Sequence, residues 1–154
     1  MAWLLALKEK DKILIFSPHP EQCSNYTMLD SSIRNYQNTG QNDCDNGPCC
    51  DTYTSHRAYP DWKGPGWYRV GGQAGTQLNE KGTGVWNSCG TYYGGWLSGG
   101  HPTREEREVS RTVYFENGGG DRANPTSIKV INCNNKYFVY YLSTAFCYSG
   151  YCTK

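Results

Sequence analysis

Cys133-Asn134-Asn135-Lys136-Tyr137-Phe138-Val139-Tyr140-Tyr141-Leu142, running on to Cys147 and Tyr151-Cys152, carries the features that decide the fold. The run Tyr137 to Leu142 is aromatic and β-branched, of strand length, and bounded by turn residues. Asn134-Asn135 ahead of it reads as a hairpin turn, since both residues tolerate positive φ. Working outward, Ser127 to Ile131, Val109 to Phe115 and Gly66 to Val70 are further short runs closed off by Gly, Asn or Pro. Gly71-Gly72, Gly94-Gly95, Gly99-Gly100 and Gly118-Gly119-Gly120 mark turns or close backbone approaches. Only Met28 to Ile33 and Thr103 to Arg107 suit a helical turn. Asn38 to Lys63 is polar and turn-rich, carries three cysteines, and reads as a long loop pinned by disulfides. The expected fold is mostly β, a small disulfide-stapled β-sandwich-like domain with long loops.

The eight cysteines (Cys23, Cys44, Cys49, Cys50, Cys89, Cys133, Cys147 and Cys152) are even in number and closely spaced in places, as in a disulfide framework. That places the domain in an oxidising compartment, secreted or on the extracellular face of the cell surface. Leu, Ile, Val and Phe together number only 23 of 154 residues, low enough to raise the question of disorder. The net charge of +1 and the 13 Tyr and 5 Trp answer it, because rings replace aliphatics as the apolar surface. Near-neutral charge argues against nucleic acid or an anionic membrane as partner.

The N-terminus does not match this compartment. Met1 to Leu7 is apolar, but Lys8-Glu9-Lys10-Asp11-Lys12 interrupts it, and Ile13 to Phe16 is short. Neither run has the plan of a secretory signal or the length of a membrane span. Residues 1–22 therefore read as a leader or a mis-assigned start, poorly ordered. The domain proper is 23–153, with an insertion at 45–63.

In order and spacing the blocks resemble the uromodulin-type cysteine-rich extracellular domain, shared with the pancreatic granule-membrane glycoprotein. They are Cys23-Ser24-Asn25-Tyr26-Thr27-Met28-Leu29-Asp30, Cys44-Asp45, Gly66-Trp67-Tyr68-Arg69-Val70, Cys89-Gly90-Thr91, Trp96-Leu97-Ser98-Gly99-Gly100-His101-Pro102, Tyr137 to Leu142, and Cys147 through Tyr151-Cys152-Thr153. No single block is specific; the ordered set is. Four family cysteines are missing: Thr83 and Val113 stand at two of their positions, and a Cys-Cys pair is absent from Gly118 to Pro125. The resemblance implies that these four pair with each other, so their joint loss leaves no orphan thiol. It further implies the bridges Cys23–Cys133, Cys44–Cys147 and Cys89–Cys152. Cys49 and Cys50 lie in the insertion and have two readings. Either they bond to each other, or Cys44 closes onto Cys49 and Cys50 takes Cys147.

The family's best-known role, showing mannose-rich glycans to bacterial adhesins, does not carry over. Tyr141 and Ser98 stand where that role needs asparagine acceptors. One sequon survives in a loop, Asn25-Tyr26-Thr27, and is expected to be glycosylated.

Nothing in the sequence builds an enzyme. The histidines are His19, His56 and His101, and the turn His101-Pro102 suits a backbone-bonded side chain better than a catalyst. Cys49, Cys50 and His56 lack paired zinc spacing. Asp43-Cys44-Asp45-Asn46-Gly47 lacks the closing acid of a calcium loop. No metal or cofactor is expected. The resemblance points to a structural or adhesive module binding an extracellular protein, with a lectin-like carbohydrate-binding module as the alternative. It also implies a place within a larger multidomain protein. Trp67 and Trp96 follow glycines within the blocks and suit core packing. Trp62 and Trp86, outside the blocks, are the candidates for ligand contact.

Overall fold

The computed structural model describes residues 20–40, 44–45, 47–52 and 56–154. The expected leader, apart from residues 20–22, lies outside them, as do His19, Asp43 and Asn46. Among these residues seven strands form one sheet: β1 (Thr27–Leu29), β2 (Gly66–Val70), β3 (Tyr93–Ser98), β4 (Glu108–Phe115), β5 (Pro125–Cys133), β6 (Tyr137–Leu142) and β7 (Ser149–Tyr151). Their spatial order is β1-β2-β6-β5-β4-β3-β7. The five inner strands pair antiparallel, while β1 on β2 and β7 on β3 are parallel additions at the two edges. The mostly β class is what the strand runs imply, but the strands make a single sheet and not the two facing sheets of a sandwich. There is no α-helix among the described residues, only three-residue 3₁₀ turns such as Ser32–Arg34.

Period-2 alternation distributes the side chains. On β5, Ile128 and Val130 enter the main core with Val113, Phe115, Tyr140 and Leu142. The odd-numbered Ile131 and Cys133 face the other way and pack with Val139 and Cys23. Asn134 and Asn135, at φ 56° and 59°, make the tight β5–β6 turn. Loops cover the main core: Tyr59, Trp62, Ala74 and Leu78 all belong to it.

Gly94 and Gly95 lie within β3 and do not form a turn. A Cβ on Gly94 would sit 2.8 Å from the Cys152 sulfur, and one on Gly95 would sit 2.6 Å from the Phe115 ring. The glycines therefore mark close approach inside a strand.

Three bridges staple the fold: Cys23–Cys133, Cys89–Cys152 and Cys44–Cys49. Of the two readings of the insertion, the Cys44–Cys147 and Cys49–Cys50 bonds of the first are not seen, and the Cys44–Cys49 bond of the second is. Cys44 closes a short loop onto Cys49, with Cα atoms 4.9 Å apart, within the normal span of a disulfide. Cys50 turns instead toward Cys147, and the two sulfurs are in hydrogen-bond contact. The first bridge closes a separation of 110 residues, which loop entropy values at about 5 kcal/mol; the short one is worth about 2 kcal/mol.

At the position of one missing family cysteine, Thr83 donates both its backbone N–H and its hydroxyl to one oxygen of the buried Glu116 carboxylate, each at 2.6 Å. A hydrogen-bonded clasp ties these two segments together. Val113, at another such position, is fully buried in the core.

Candidate recognition surface

The segment around 44–62 reads in sequence as a loop, yet its inward side is bonded firmly to the body of the domain. Both Cys49 and Cys50 donate their N–H to the Arg57 carbonyl, at 2.9 and 3.0 Å. Asp51 donates its N–H to Ser149 O (2.9 Å), and its own carbonyl accepts Ala145 N–H (2.6 Å). The insertion is thereby sewn to the residues flanking Cys147.

Beneath it lies Arg34, which is fully buried. Its guanidinium donates to both Asp51 oxygens (2.7 and 2.5 Å) and to both Asp61 oxygens (2.6 to 3.0 Å). Its face lies 4.1 Å from the centre of the Tyr59 ring. Asp51 also accepts Tyr151 N–H, and Asp61 accepts the N–H groups of Asp30 and Ser31. One cation thus serves two carboxylates. Burial raises Asp51 above the usual carboxylate range, more than Arg34 and Tyr151 N–H pull it back. Burial acts the same way on Asp61, but there the Arg34 and backbone hydrogen bonds prevail and hold it below that range. Nothing local marks Arg34 in the sequence; an arginine after Ser31-Ser32-Ile33 looks like any surface cation.

The outward side is aromatic. Trp86 meets Tyr92 at 5.3 Å between ring centres, and Tyr92 meets Tyr148 at 5.2 Å. Tyr92 also touches Tyr93, which reaches Phe146 at 5.7 Å. Trp86 is 55% exposed, Val85 45% and Phe146 43%, and together they are the most exposed large apolar side chains of the described residues. Polar groups edge the rings. Tyr92 donates its hydroxyl to Asp45 at 2.9 Å, a bond that raises its phenol above the ordinary range. The Arg57 guanidinium stands 5.4 Å from the Tyr148 ring centre.

Trp62, expected as a ligand contact, is instead a core residue. It is 3% exposed, stacks on Tyr68 at 5.0 Å, and donates its indole N–H to Thr52 O. The apolar segment on which it lies is pulled inward by the Arg34–Asp61 pair one residue before it. Trp86 does lie on the surface, and Asn25 is exposed.

His101 is held by side chains and not by backbone. Its ring bonds the Glu80 carboxylate through Nδ1 and the Tyr140 hydroxyl through Nε2 (2.7 Å), and that hydroxyl accepts Leu78 N–H. Burial lowers its pKa, outweighing the pull of Glu80. The relay is packed against Phe138 and joins three segments of chain. Among the described residues no group of three or more His, Cys, Asp or Glu side chains could hold a metal. No helix of the described residues is long and apolar enough to cross a membrane.

Comparison with known families gives a match to the uromodulin-like domain over residues 68–153. The pancreatic secretory granule membrane major glycoprotein GP2 of Canis lupus familiaris is 31% identical over 148 residues, covering 95% of this chain and 26% of the relative. The human protein of the same name is 30% identical, over 86% of this chain and 22% of its own length. Uromodulin of Mus musculus is 35% identical over 89 residues, 57% of this chain and 14% of the relative. The chain thus spans about a quarter or less of the curated relatives it matches. With its matched blocks and its buried bridges, the chain belongs to the uromodulin-like domain family, as an extracellular, disulfide-stapled β domain.

Proposed function

We propose that this domain is a non-enzymatic module of a larger extracellular glycoprotein, with a structural or adhesive role exercised by contact with a partner protein. The observation that carries this reading is the chain of touching rings Trp86, Tyr92, Tyr148, Tyr93 and Phe146, exposed at Trp86 and Phe146 and half-buried between them. Tyr and Trp bring large contact area at low entropic cost and leave a polar tip for solvent, which suits interface anchors. The non-catalytic reading is supported by where the titratable groups lie. Arg34 and its two aspartates are sealed in the core, and the His101 relay is occupied by its structural partners. The larger protein is supported by the small share of each relative that the chain spans. Nucleic acid is not a partner in this reading, because the net charge is only +1.

A second reading, a lectin-like module, is favoured by Asp45 and Arg57 at the edge of the rings. Aromatic faces bordered by hydrogen-bonding groups also fit the flat faces and hydroxyl edges of sugars. Asn25 is the proposed glycan acceptor; it is exposed and lies two residues after Cys23. The test is binding of the oxidised domain to arrays of extracellular matrix proteins and of glycans, with wild type beside Trp86→Ala. Protein spots that dim on substitution support the adhesive role, and glycan spots that dim support the second reading. Spots of either kind that stay undiminished in the variant contradict the aromatic face as contact surface.

A further inference from the structure

Glu116-Asn117-Gly118-Gly119-Gly120-Asp121 leaves the end of β4 as a glycine-rich turn. Asn117 is exposed, and its backbone N–H donates to Asp121 Oδ1 at 2.9 Å. That bond steadies the turn, while among the described residues no hydrogen bond engages the Asn117 side-chain amide. By contrast, Asn35, Asn38, Asn79, Asn124, Asn132 and Asn135 each hold the side-chain amide in a hydrogen bond. Asn46-Gly47 repeats the dipeptide, but Asn46 lies outside the described residues. Gly118 has no Cβ to crowd its nitrogen, its φ is 112°, and among the described residues its N–H donates no hydrogen bond. A free carboxamide thus stands one residue before a free and unhindered peptide nitrogen.

Asparagine is among the residues whose side chain is chemically labile. We propose that Asn117 is a self-modification site, converted without an enzyme to isoaspartate through a cyclic imide. The Gly118 N–H gives its proton to hydroxide, and the nitrogen attacks Cγ of the Asn117 side chain. The N–Cγ bond forms, the Cγ–Nδ2 bond breaks, and the departing nitrogen takes up a proton and leaves as ammonia. Water then adds to one of the two imide carbonyls. Opening at the main-chain carbonyl leaves the chain linked through Cγ, which is isoaspartate; opening at Cγ gives ordinary aspartate. One amide and one water become one acid and one ammonia, with no change of oxidation state.

Two contacts give the change a consequence. Gly119 donates its N–H to Gly84 O at 2.8 Å, and Gly118 lies against the Trp86 backbone nitrogen, 3.6 Å from where a Cβ would stand. The turn therefore braces the segment that carries Val85 and Trp86. An isoaspartyl link adds a methylene to the main chain between residues 117 and 118, so the brace cannot keep its geometry. Conversion loosens the Trp86 segment and leaves the sheet alone. Its effect on binding rests on the contact role proposed for Trp86; the chemistry at Asn117 does not.

The test is to hold the oxidised domain at body temperature and near-neutral pH and to sample it by peptide mass spectrometry, with fragmentation that separates isoaspartate from aspartate. Conversion at Asn117 should run at least about tenfold faster than at Asn35, Asn79, Asn124 or Asn132, and faster again at higher pH. Hydrogen exchange at the Gly119 amide should quicken at least about tenfold in aged wild type and stay slow in aged Asn117→Gln. Fresh Asn117→Asp, which has the charge without the added methylene, should stay slow as well. An intact Asn117 amide after ageing, or conversion no faster than at the hydrogen-bonded asparagines, overturns the proposal. Unchanged Gly119 exchange in converted protein, or fast exchange in fresh Asn117→Asp, overturns the loosening by the added methylene. Converted and loosened protein that binds its array partner as before contradicts the contact role of Trp86 and not the chemistry at Asn117.

Discussion

The two sides of the segment 44–62 are built from neighbouring residues and obey opposite rules. On the inner side, Arg34, Asp51, Asp61 and Tyr59 form a cluster in which every charge depends on a named partner. On the outer side, Trp86 touches Tyr92 and Tyr92 touches Tyr148, with Trp86 exposed and the two tyrosines half-buried. Charged groups lie inside beside Tyr59 and Trp62 while Trp86 stands in water, against the usual expectation for both. A buried charge cluster is tolerated here because the geometry satisfies nearly all of its hydrogen bonds, and its role is to fix the path of the loop. On the proposed reading, the exposed aromatic surface is kept for contact.

The largest expected effect falls on the inner side. Arg34→Ala leaves two carboxylates without their cation, and should lower the unfolding free energy by about 3–5 kcal/mol in urea titration. Arg34→Lys should recover little, because one ammonium cannot span both Asp51 and Asp61. Near-wild-type stability of either variant would break the contrast between the two sides.

Trp62→Ala comes next, at about 3 kcal/mol, for loss of a buried ring stacked on Tyr68. Removing the short bridge with Cys44→Ser and Cys49→Ser should cost about 2 kcal/mol, less than removing either long bridge. Equal losses for short and long bridges would show that strain or residual structure governs them, and not loop length.

A smaller effect is expected from pH. Burial lowers the His101 pKa below its value in the unfolded chain, so the folded state favours the neutral ring. Stability from this group is therefore full above the unfolded value of about 6.5 and falls as pH drops through the folded value. Urea midpoints from pH 7.5 downward should decline in wild type and decline less in His101→Gln. An equal decline in both would place the acid sensitivity elsewhere. Asp61, held below the ordinary carboxylate range, loses its share of stability only at still lower pH, while Asp51, raised by burial, works in the opposite sense.

Much of the sheet is legible in the sequence. The runs that form β2, β4, β5 and β6 are rich in β-branched and aromatic residues, and the Asn134-Asn135 turn announces the hairpin between the last two. β3 is hidden because Gly94-Gly95 looks like a break, and what requires glycine there is the Cys89–Cys152 bridge and Phe115, both brought in from other segments. β1 and β7 are three-residue parallel edges, too short to show a period. The candidate site is legible by half. Trp62 and Trp86 look alike in sequence, and what separates them is the Arg34–Asp61 pair that draws the first inward. The ring partners Tyr92 and Tyr148 come from segments far apart in the chain, which no local pattern joins.

Trp86→Ala is the smallest perturbation on stability, within about 0.5 kcal/mol of wild type. That makes it the direct test of the central claim, that the aromatic face is the working surface of this domain. The measurement is binding of wild type and Trp86→Ala, at equal folded concentration, to whichever matrix protein or glycan on the arrays binds the wild type. The account predicts at least about tenfold weaker binding by the variant, as for an interface anchor. Undiminished binding with an unchanged unfolding midpoint would contradict it.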